Sequence, residues 1–239
     1  MRFLIIIPTY NEALNIEKLI NEVLSQSDDI DILVVDDNSP DGTSDIVEKI
    51  AKSNKRVNLI KREKKSGLGR AYIAGFKWAL EKDCYDYIFE MDADFSHDPY
   101  ELELFFEAIK ENYEVVCGSR YINGVRILNW DLKRLFLSLG GNIYARIATG
   151  VPLTDLTGGY NCYSKKVLKS INLDKISSNG YSFQIEMKAK AYYKGFKIKE
   201  VPITFRDRYE GTTKMNSGII NEAIFKCWKI RFEKWSKNF

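Results

Sequence analysis

The 239-residue chain is 45% hydrophobic and 29% charged, which excludes a disordered or fibrous polypeptide and suffices for one large folded domain. Its net charge of +3 hides a division. Residues 1–118 carry 14 Lys and Arg against 24 Asp and Glu, a balance of −10, whereas residues 119–239 carry 22 against 9, a balance of +13. A basic half of this kind suits a polyanionic partner, either a phosphorylated substrate or an anionic membrane. It contains no recognised nucleic-acid-binding module, so no nucleic acid is expected. No stretch reaches the ~18–20 apolar residues of a bilayer span, and the opening Met1–Pro8 is too short for a signal-peptide apolar region. Membrane contact is therefore expected to be peripheral or to come through a partner. The four cysteines, Cys84, Cys117, Cys162 and Cys227, form no CxxC pair, which excludes that kind of zinc or redox framework. Cys84 and Cys117 border strand-like runs and are expected to act as small hydrophobes, as in a reducing compartment.

Five short apolar runs punctuate the first half and read as buried strands: Phe3–Ile7, Ile32–Val35, Val57–Ile60, Tyr87–Met91 and Val115–Cys117. Segments of helical period lie between them. Ile16, Leu19, Ile20, Val23 and Leu24 make one apolar face; Ile46, Val47 and Ile50 make a second, and Ala71–Leu80 a third. The fourth opens on Asp98-Pro99, a cap residue followed by proline at the first helical position, with Leu102, Phe105, Phe106 and Ile109 on its face. Such alternation predicts an α/β fold with right-handed crossovers and a mainly parallel sheet. Further on, the spacing predicts a helix over Leu132–Ile147, with Leu132, Leu135, Phe136, Leu139, Ile143 and Ile147 on one side. A loop or strand follows over Asp155–Tyr163, then a helix over Phe183–Tyr193 that stops before Gly195, and a strand over Lys197–Thr204. Ile219–Trp235 is basic with helical period. The simplest parse is a catalytic domain over 1–215 and an amphipathic helical appendage over 216–239.

Ligands of a parallel sheet bind beyond the carboxyl ends of its strands, and here those ends are acidic. Pro8-Thr9-Tyr10-Asn11-Glu12 follows the first strand, Asp36-Asp37-Asn38-Ser39-Pro40-Asp41 the second, and Asp92-Ala93-Asp94 the fourth. Converging carboxylates repel unless a cation sits among them, and Mg²⁺ or Mn²⁺ bridges carboxylates to substrate phosphates. Asp92 and Asp94 are therefore the metal candidates, and the residues alone point to a nucleotide–metal site. Gly67-Leu68-Gly69 lacks the Gly-Lys-Ser/Thr ending of a P-loop and reads as a tight turn into a helix near the ligand.

The strings Pro8-Thr9-Tyr10-Asn11-Glu12, Val35-Asp36-Asp37-Asn38-Ser39-Pro40-Asp41-Gly42-Thr43, Gly67-Leu68-Gly69-Arg70-Ala71 and Met91-Asp92-Ala93-Asp94-Phe95-Ser96-His97 resemble family 2 glycosyltransferases of GT-A fold. Gly118-Ser119-Arg120-Tyr121, Asn129–Arg134, Asp155-Leu156-Thr157-Gly158-Gly159, Glu200–Phe205 and Arg208–Lys214 are similar, within that family, to the dolichyl-phosphate (polyprenyl-phosphate) mannosyltransferases. The resemblance implies an inverting enzyme moving mannose from GDP-mannose to dolichyl or polyprenyl phosphate. It implies that Pro8, Tyr10, Glu12, Val35 and Asp37 hold the guanosine end of the donor, Asp37 through the base or the ribose. Asp92 and Asp94, with Ala93 between them, would hold Mg²⁺ or Mn²⁺ on the diphosphate. Ser96 stands where relatives often carry a glutamine that helps the metal. Arg120, Arg134, Arg208 and Lys214 would bind donor and acceptor phosphates, and Asp155, Gly158 and Gly159 would shape the acceptor side. The expected place is the cytoplasmic face of a membrane, the endoplasmic reticulum in a eukaryote, held by surface binding or by a small membrane subunit. A same-fold enzyme using UDP-glucose and a non-catalytic nucleotide-binding membrane scaffold are the alternatives.

His97, the sole histidine, reads as a loop or cap residue rather than a base. A phosphate monoester with a second pKa of about 6 is largely dianionic at neutral pH and needs no base to become a nucleophile. Leu132–Ile147 and Ile219–Trp235 are the two segments that could meet lipid. The second carries Phe225, Trp228, Phe232 and Trp235 among Lys226, Lys229, Arg231 and Lys234.

Overall fold

The structure, a computed structural model, describes residues 1–176, 178, 180–207 and 225–233. Each predicted strand of the first half forms, slightly longer than its apolar run: β1 (Phe3–Thr9), β2 (Ile30–Asp36), β3 (Val57–Lys61), β4 (Tyr87–Glu90, a residue shorter at its end) and β5 (Val115–Ser119). Between them lie α1 (Ile16–Leu24), α2 (Thr43–Ser53), α3 (Leu68–Lys82) and α4 (Leu102–Lys110). The Asp98-Pro99 signal works as read, Asp98 Oδ1 accepting from Tyr100 N at 3.0 Å, but it starts a 3₁₀ turn over Pro99–Glu101 that then runs into α4. The second half adds β6 (Ile127–Leu128), α5 (Leu132–Thr149), β7 (Asn161–Ser164), α6 (Lys165–Ser170), α7 (Gly180–Tyr193), β8 (Ile198–Pro202) and β9 (Phe205–Arg206). Residues 225–233 are helical.

The main sheet has seven strands in the order β3-β2-β1-β4-β7-β5-β8. All neighbouring pairs are parallel except those of β7, which runs antiparallel to both β4 and β5. The expected α/β architecture therefore holds, with one reversed strand inside it. Period-2 alternation sends successive side chains to opposite faces. In β1, Leu4 and Ile6 enter one core cluster and Ile5 and Ile7 the other. The first cluster packs under α3 and α7, the second under α1 and α4. Both faces of the sheet are covered, which is why β1 and β2 read as unbroken apolar runs.

Gly75 shows how closely α3 approaches β1: a Cβ there would lie 2.8 Å from two carbons of Ile6. A Gly75→Val substitution is expected to cost about 1–3 kcal/mol by overpacking, read as a lower urea midpoint with an unchanged slope.

Cys117, Cys162 and Cys227 are buried as small hydrophobes, but Cys84 is exposed, because the chain between α3 and β4 runs over the surface. The boundary placed at 215/216 lies outside the described residues. Helix 225–233 buries Cys227 and Ile230 in the α3/α7 cluster, and its Arg231 Nη1 donates to the Ile147 carbonyl at 2.9 Å. In α5 the expected stripe faces outward: Leu132, Phe136, Ile143 and Ile147 are exposed, while Asn142, Ala145, Ala148 and Thr149 face the protein.

Candidate active site

The carboxyl ends of β1, β2, β4 and β5 open on one cavity of about 400 Å³, within the range of small-molecule sites. One side is acidic and is reached from β1, β2 and β4: Pro8, Tyr10, Glu12 and Asp37, then Asp92, Ala93 and Asp94. Arg120, following β5, and Arg134, in the first turn of α5, face them. Gly67 and Leu68 at the start of α3 complete the donor-side wall. Gly67 has φ +95°, which a side chain rarely adopts. A Cβ on Gly69 would strike the Ser178 carbonyl at 2.8 Å, so this loop needs its glycines to start the helix there.

The acidic side is built by local turns. Asp36 is consumed by structure: its carboxylate accepts from Thr9 Oγ1 at 2.8 Å, Ser39 Oγ at 2.6 Å and Ser39 N at 2.9 Å. Asp37 turns to the cavity. Burial raises its carboxyl above the usual range, opposed by the Arg62 guanidinium 2.7 Å away. Lys65 Nζ lies 3.6 Å above the Tyr10 ring, and both residues border the cavity. Asp94 Oδ1 accepts from Ser96 N at 3.0 Å, and Phe95 between them has φ +60°.

His97 is 1% exposed, stacked on Tyr160 with ring centroids 4.8 Å apart. Its Nδ1 accepts from the Asp92 backbone N–H at 3.0 Å, and its Nε2 is 3.9 Å from Asp92 Oδ2. Desolvation lowers its pKa, against the pull of Asp92 and Asp94. A neutral imidazole whose Nδ1 lone pair is already used orients Asp92 rather than taking a proton from substrate.

The basic side rests on a buried polar web. Arg120 is 4% exposed. Its Nε and Nη2 donate to Asp155 Oδ2 and Oδ1 at 2.6 and 2.7 Å, and Nη2 also reaches Thr157 Oγ1 at 2.8 Å. Among the described residues no hydrogen bond from Nη1 accompanies those of Nε and Nη2. The Asp155 carboxyl is buried, which raises its pKa, but Arg120 overrides this and brings it down to about 2. Lys188, wholly buried, donates to the carbonyls of Asp155 and Gly158 at 2.8 and 2.9 Å. Glu200 accepts from the Thr154 and Asp155 amides at 2.8–3.0 Å. The turn over 155–159 is thus pinned from below, and its Thr157, Gly158 and Gly159 line the cavity. Arg134 sits over the Trp130 ring, its Cζ 4.1 Å from the centroid, and donates to Asp207 at 2.6 Å.

Two of the residues expected in the site are placed elsewhere. Val35 is wholly buried in the core beside Leu4 and Leu33, because its position in β2 points its side chain to the α3 face of the sheet. Ser96 is 2% exposed, its hydroxyl makes no hydrogen bond, and it is not on the cavity wall; the turn at Phe95 carries it inward. Arg208 and Lys214 lie outside the described residues. Residues not singled out as site candidates also border the cavity, among them Lys65, Trp130, Thr157, Tyr181, Gln184, Phe205 and Asp207. Lys65 could have been found from its place just before the Gly67 turn. Gln184 is a 2%-exposed amide between buried Phe183 and Ile185, and the helix it sits on was expected without its being singled out.

Asp92 and Asp94 sharing one cavity suit a divalent ion that takes its remaining ligands from substrate phosphate and water. No cluster of three or more His, Cys, Asp or Glu that could hold a metal occurs among the described residues. The profile described as "Glycosyl transferase family 2" matches residues 4–171. The chain belongs to glycosyl transferase family 2. This family 2 chain is 43% identical over 233 residues to the polyprenol monophosphomannose synthase of Mycolicibacterium smegmatis, covering 96% of the chain and 88% of that protein. It is 44% identical over 224 residues to the undecaprenyl-phosphate mannosyltransferase of Micrococcus luteus, covering 94% and 91%. Its fold is that of glucosyl-3-phosphoglycerate synthase from Mycobacterium tuberculosis, solved with Mn²⁺, UDP-glucose and phosphoglyceric acid. The TM-score is 0.70 at 17% identity, over 97% of this chain and 80% of that one.

Proposed function

We propose that this family 2 glycosyltransferase moves mannose from GDP-mannose to a dolichyl or polyprenyl phosphate by one displacement that inverts the anomeric carbon. The observation that carries the reading is the identity of 43% and 44%, along nearly the whole chain, to two transferases named for mannosyl transfer to polyprenol or undecaprenyl phosphate. The cavity agrees chemically. Tyr10, backed by Lys65, offers a face for the base, and Asp37 accepts from the base or the ribose. Asp92 and Asp94 hold Mg²⁺ or Mn²⁺, which supplies Lewis-acid neutralisation of the departing diphosphate. Arg120 Nη1 and Arg134 face the phosphates, Arg134 exchanging Asp207 for a ligand oxygen. Arg208 and Lys214 would add positive charge where the transition state needs it. Neutral, engaged His97 fits an acceptor that arrives already ionised. The enzyme works peripherally on the cytoplasmic face of a membrane (that of the endoplasmic reticulum in a eukaryote), alone or with a small membrane subunit.

The deciding experiment incubates purified protein with labelled GDP-mannose and polyprenyl phosphate. Label is expected in the lipid phase with Mg²⁺ or Mn²⁺ and not after chelation; transfer unaffected by chelator would remove the metal from the reading. Thermal-shift titration in Mn²⁺ is expected to raise the melting temperature with GDP more than with UDP; the reverse order would replace the donor.

A further inference from the structure

Gly67, Gly158, Gly159 and Gly180 border the cavity, and the protein's own structure accounts for three of them. Gly67 and Gly180 have φ of +95° and +55°, where side chains are strained. A Cβ on Gly158 would stand 3.2 Å from the Asp155 carboxyl and from the Gly118 carbonyl. Gly159 has neither reason to lack a side chain. Its φ is not positive, and a Cβ there would have no neighbour nearer than 3.5 Å, which is ordinary van der Waals contact. The empty protein would accept an alanine at 159, so the bare backbone leaves a step in the cavity wall that packing does not require.

The atoms around the step define its guest. The nearest to a Cβ on Gly159 would be His97 Cε1 at 3.5 Å, Gln184 Nε2 at 3.8 Å and Asp92 Oδ2 at 4.0 Å. Gln184 is 2% exposed. Its Oε1 accepts from Asn161 Nδ2 at 2.8 Å, but its Nε2 has no hydrogen-bond partner. The Glu90 carboxyl lies close enough to feel this amide, yet Glu90 Oε1 is unpartnered as well. A buried N–H without an acceptor is costly, and here it borders the cavity. A donor and a carboxylate beside one step select among guests. A phosphate oxygen would be repelled by Asp92, and an apolar chain would leave the amide unpaired. A hydroxyl both accepts and donates.

We propose that the step over Gly159, edged by Gln184 and Asp92, is the subsite for a hydroxyl of the donor sugar, with Gln184 Nε2 as a specificity-determining contact. The inference rests on the nucleotide-sugar reading above. It gives Gly159 to the sugar, where the sequence placed it on the acceptor side. A sugar there stands beside the acidic pair that takes the diphosphate and next to the Gly158 backbone, which leads to Arg120 through Asp155.

The test compares full-length wild type, Gly159→Ala and Gln184→Met in Mn²⁺. Each is titrated with a nucleoside diphosphate and with the matching nucleotide sugar, using the pair that wild type prefers in the thermal-shift titration above. Gly159→Ala fills the step with one methyl group. It is expected to keep its melting temperature and its Kd for the diphosphate, while its Kd for the nucleotide sugar rises about tenfold or more, the scale of one lost hydrogen bond. Gln184→Met keeps the volume and loses the donor. Donors lacking one sugar hydroxyl at a time then identify the contact. Wild type is expected to bind one of them about tenfold more weakly, and Gln184→Met to be indifferent to that same deletion, because two changes to one interaction do not add. A merely structural Gln184 would weaken every donor alike and would overturn the assignment. So would equal weakening of diphosphate and nucleotide sugar in Gly159→Ala, a rise confined to the KM for the acceptor phosphate, or sugar binding unchanged in both variants, since the step would then hold only water. Should wild type prefer a uridine pair, the donor proposed above fails, and the same comparison on that pair still decides the subsite. A wild type that binds no nucleotide sugar overturns both.

Discussion

An Asp94→Ala variant is expected to fold normally and to lose about a thousandfold in kcat. Removing one preorganised group aimed at developing charge costs about 10²–10³ in rate, and here the loss of a carboxylate also weakens the hold on the ion that neutralises the leaving diphosphate. The structural cost is small: the carboxylate caps a local turn at Ser96 N, worth on the order of 1 kcal/mol. A melting temperature within a few degrees of wild type, beside a collapsed single-turnover rate, is the expected pair of results. Asp94→Asn keeps the turn and should be as inactive, which separates charge from shape. Full activity in either variant would undo the assignment of the acidic pair.

The largest stability effect is expected at Asp155. Asp155→Ala strands the Arg120 guanidinium, buried and without its bidentate partner, and unpairs the amides of Arg120 and Gly158 that the carboxylate also accepts. Breaking a buried pair from one side typically costs about 3–5 kcal/mol, measurable as a lower urea midpoint. The double change Arg120→Met/Asp155→Leu removes both charges and should recover much of that loss, yet remain inactive, because the Arg120 guanidinium no longer faces the cavity. A double variant no more stable than Asp155→Ala would contradict the ion-pair account. The pH dependence has a defined sign. The Asp155 pKa falls from 3.8 unfolded to about 2 folded, so its ionised form contributes stability that is complete above about pH 4 and is lost as pH falls toward 2. The difference corresponds to about 2 kcal/mol at neutral pH, and the wild-type acid limb of stability should carry a component there that the double variant lacks.

Much of this architecture was legible in the residues. Strand–helix alternation through β5 follows from runs such as Ile32–Val35 and faces such as Ile16–Leu24, where local period and burial agree. The acidic strand ends were legible because a parallel sheet gathers those ends in one place. What escaped depends on partners distant in sequence. β7 pairs with two strands at once, and nothing local in Asn161–Ser164 states its direction. β6 and β9 have two residues each, too few for any period. Arg120 was recognisable as a basic residue after a strand, but Asp155, 35 positions on, takes two of its three nitrogens. Val35 was drawn toward the ligand by its motif, whereas the β-strand alternation it shares with Leu33 already assigned it to the core. For α5 the period gave the helix and the stripe; a pattern of side chains does not state which medium the stripe meets.

The reversed strand β7 has a consequence for charge. Because it is inserted between β4 and β5, the aspartates after β4 and the arginine after β5 stand two inter-strand spacings apart, roughly 9–10 Å, instead of one. At that distance across solvent the opposite charges do not collapse onto each other. Running backward, β7 also delivers its amino end to this edge, where Glu90 and Cys117 both pair with Asn161, so the gap is floored by the bare backbone of Gly158 and Gly159. A guest with a cation-seeking end and an arginine-seeking end can bridge the trench over those two glycines.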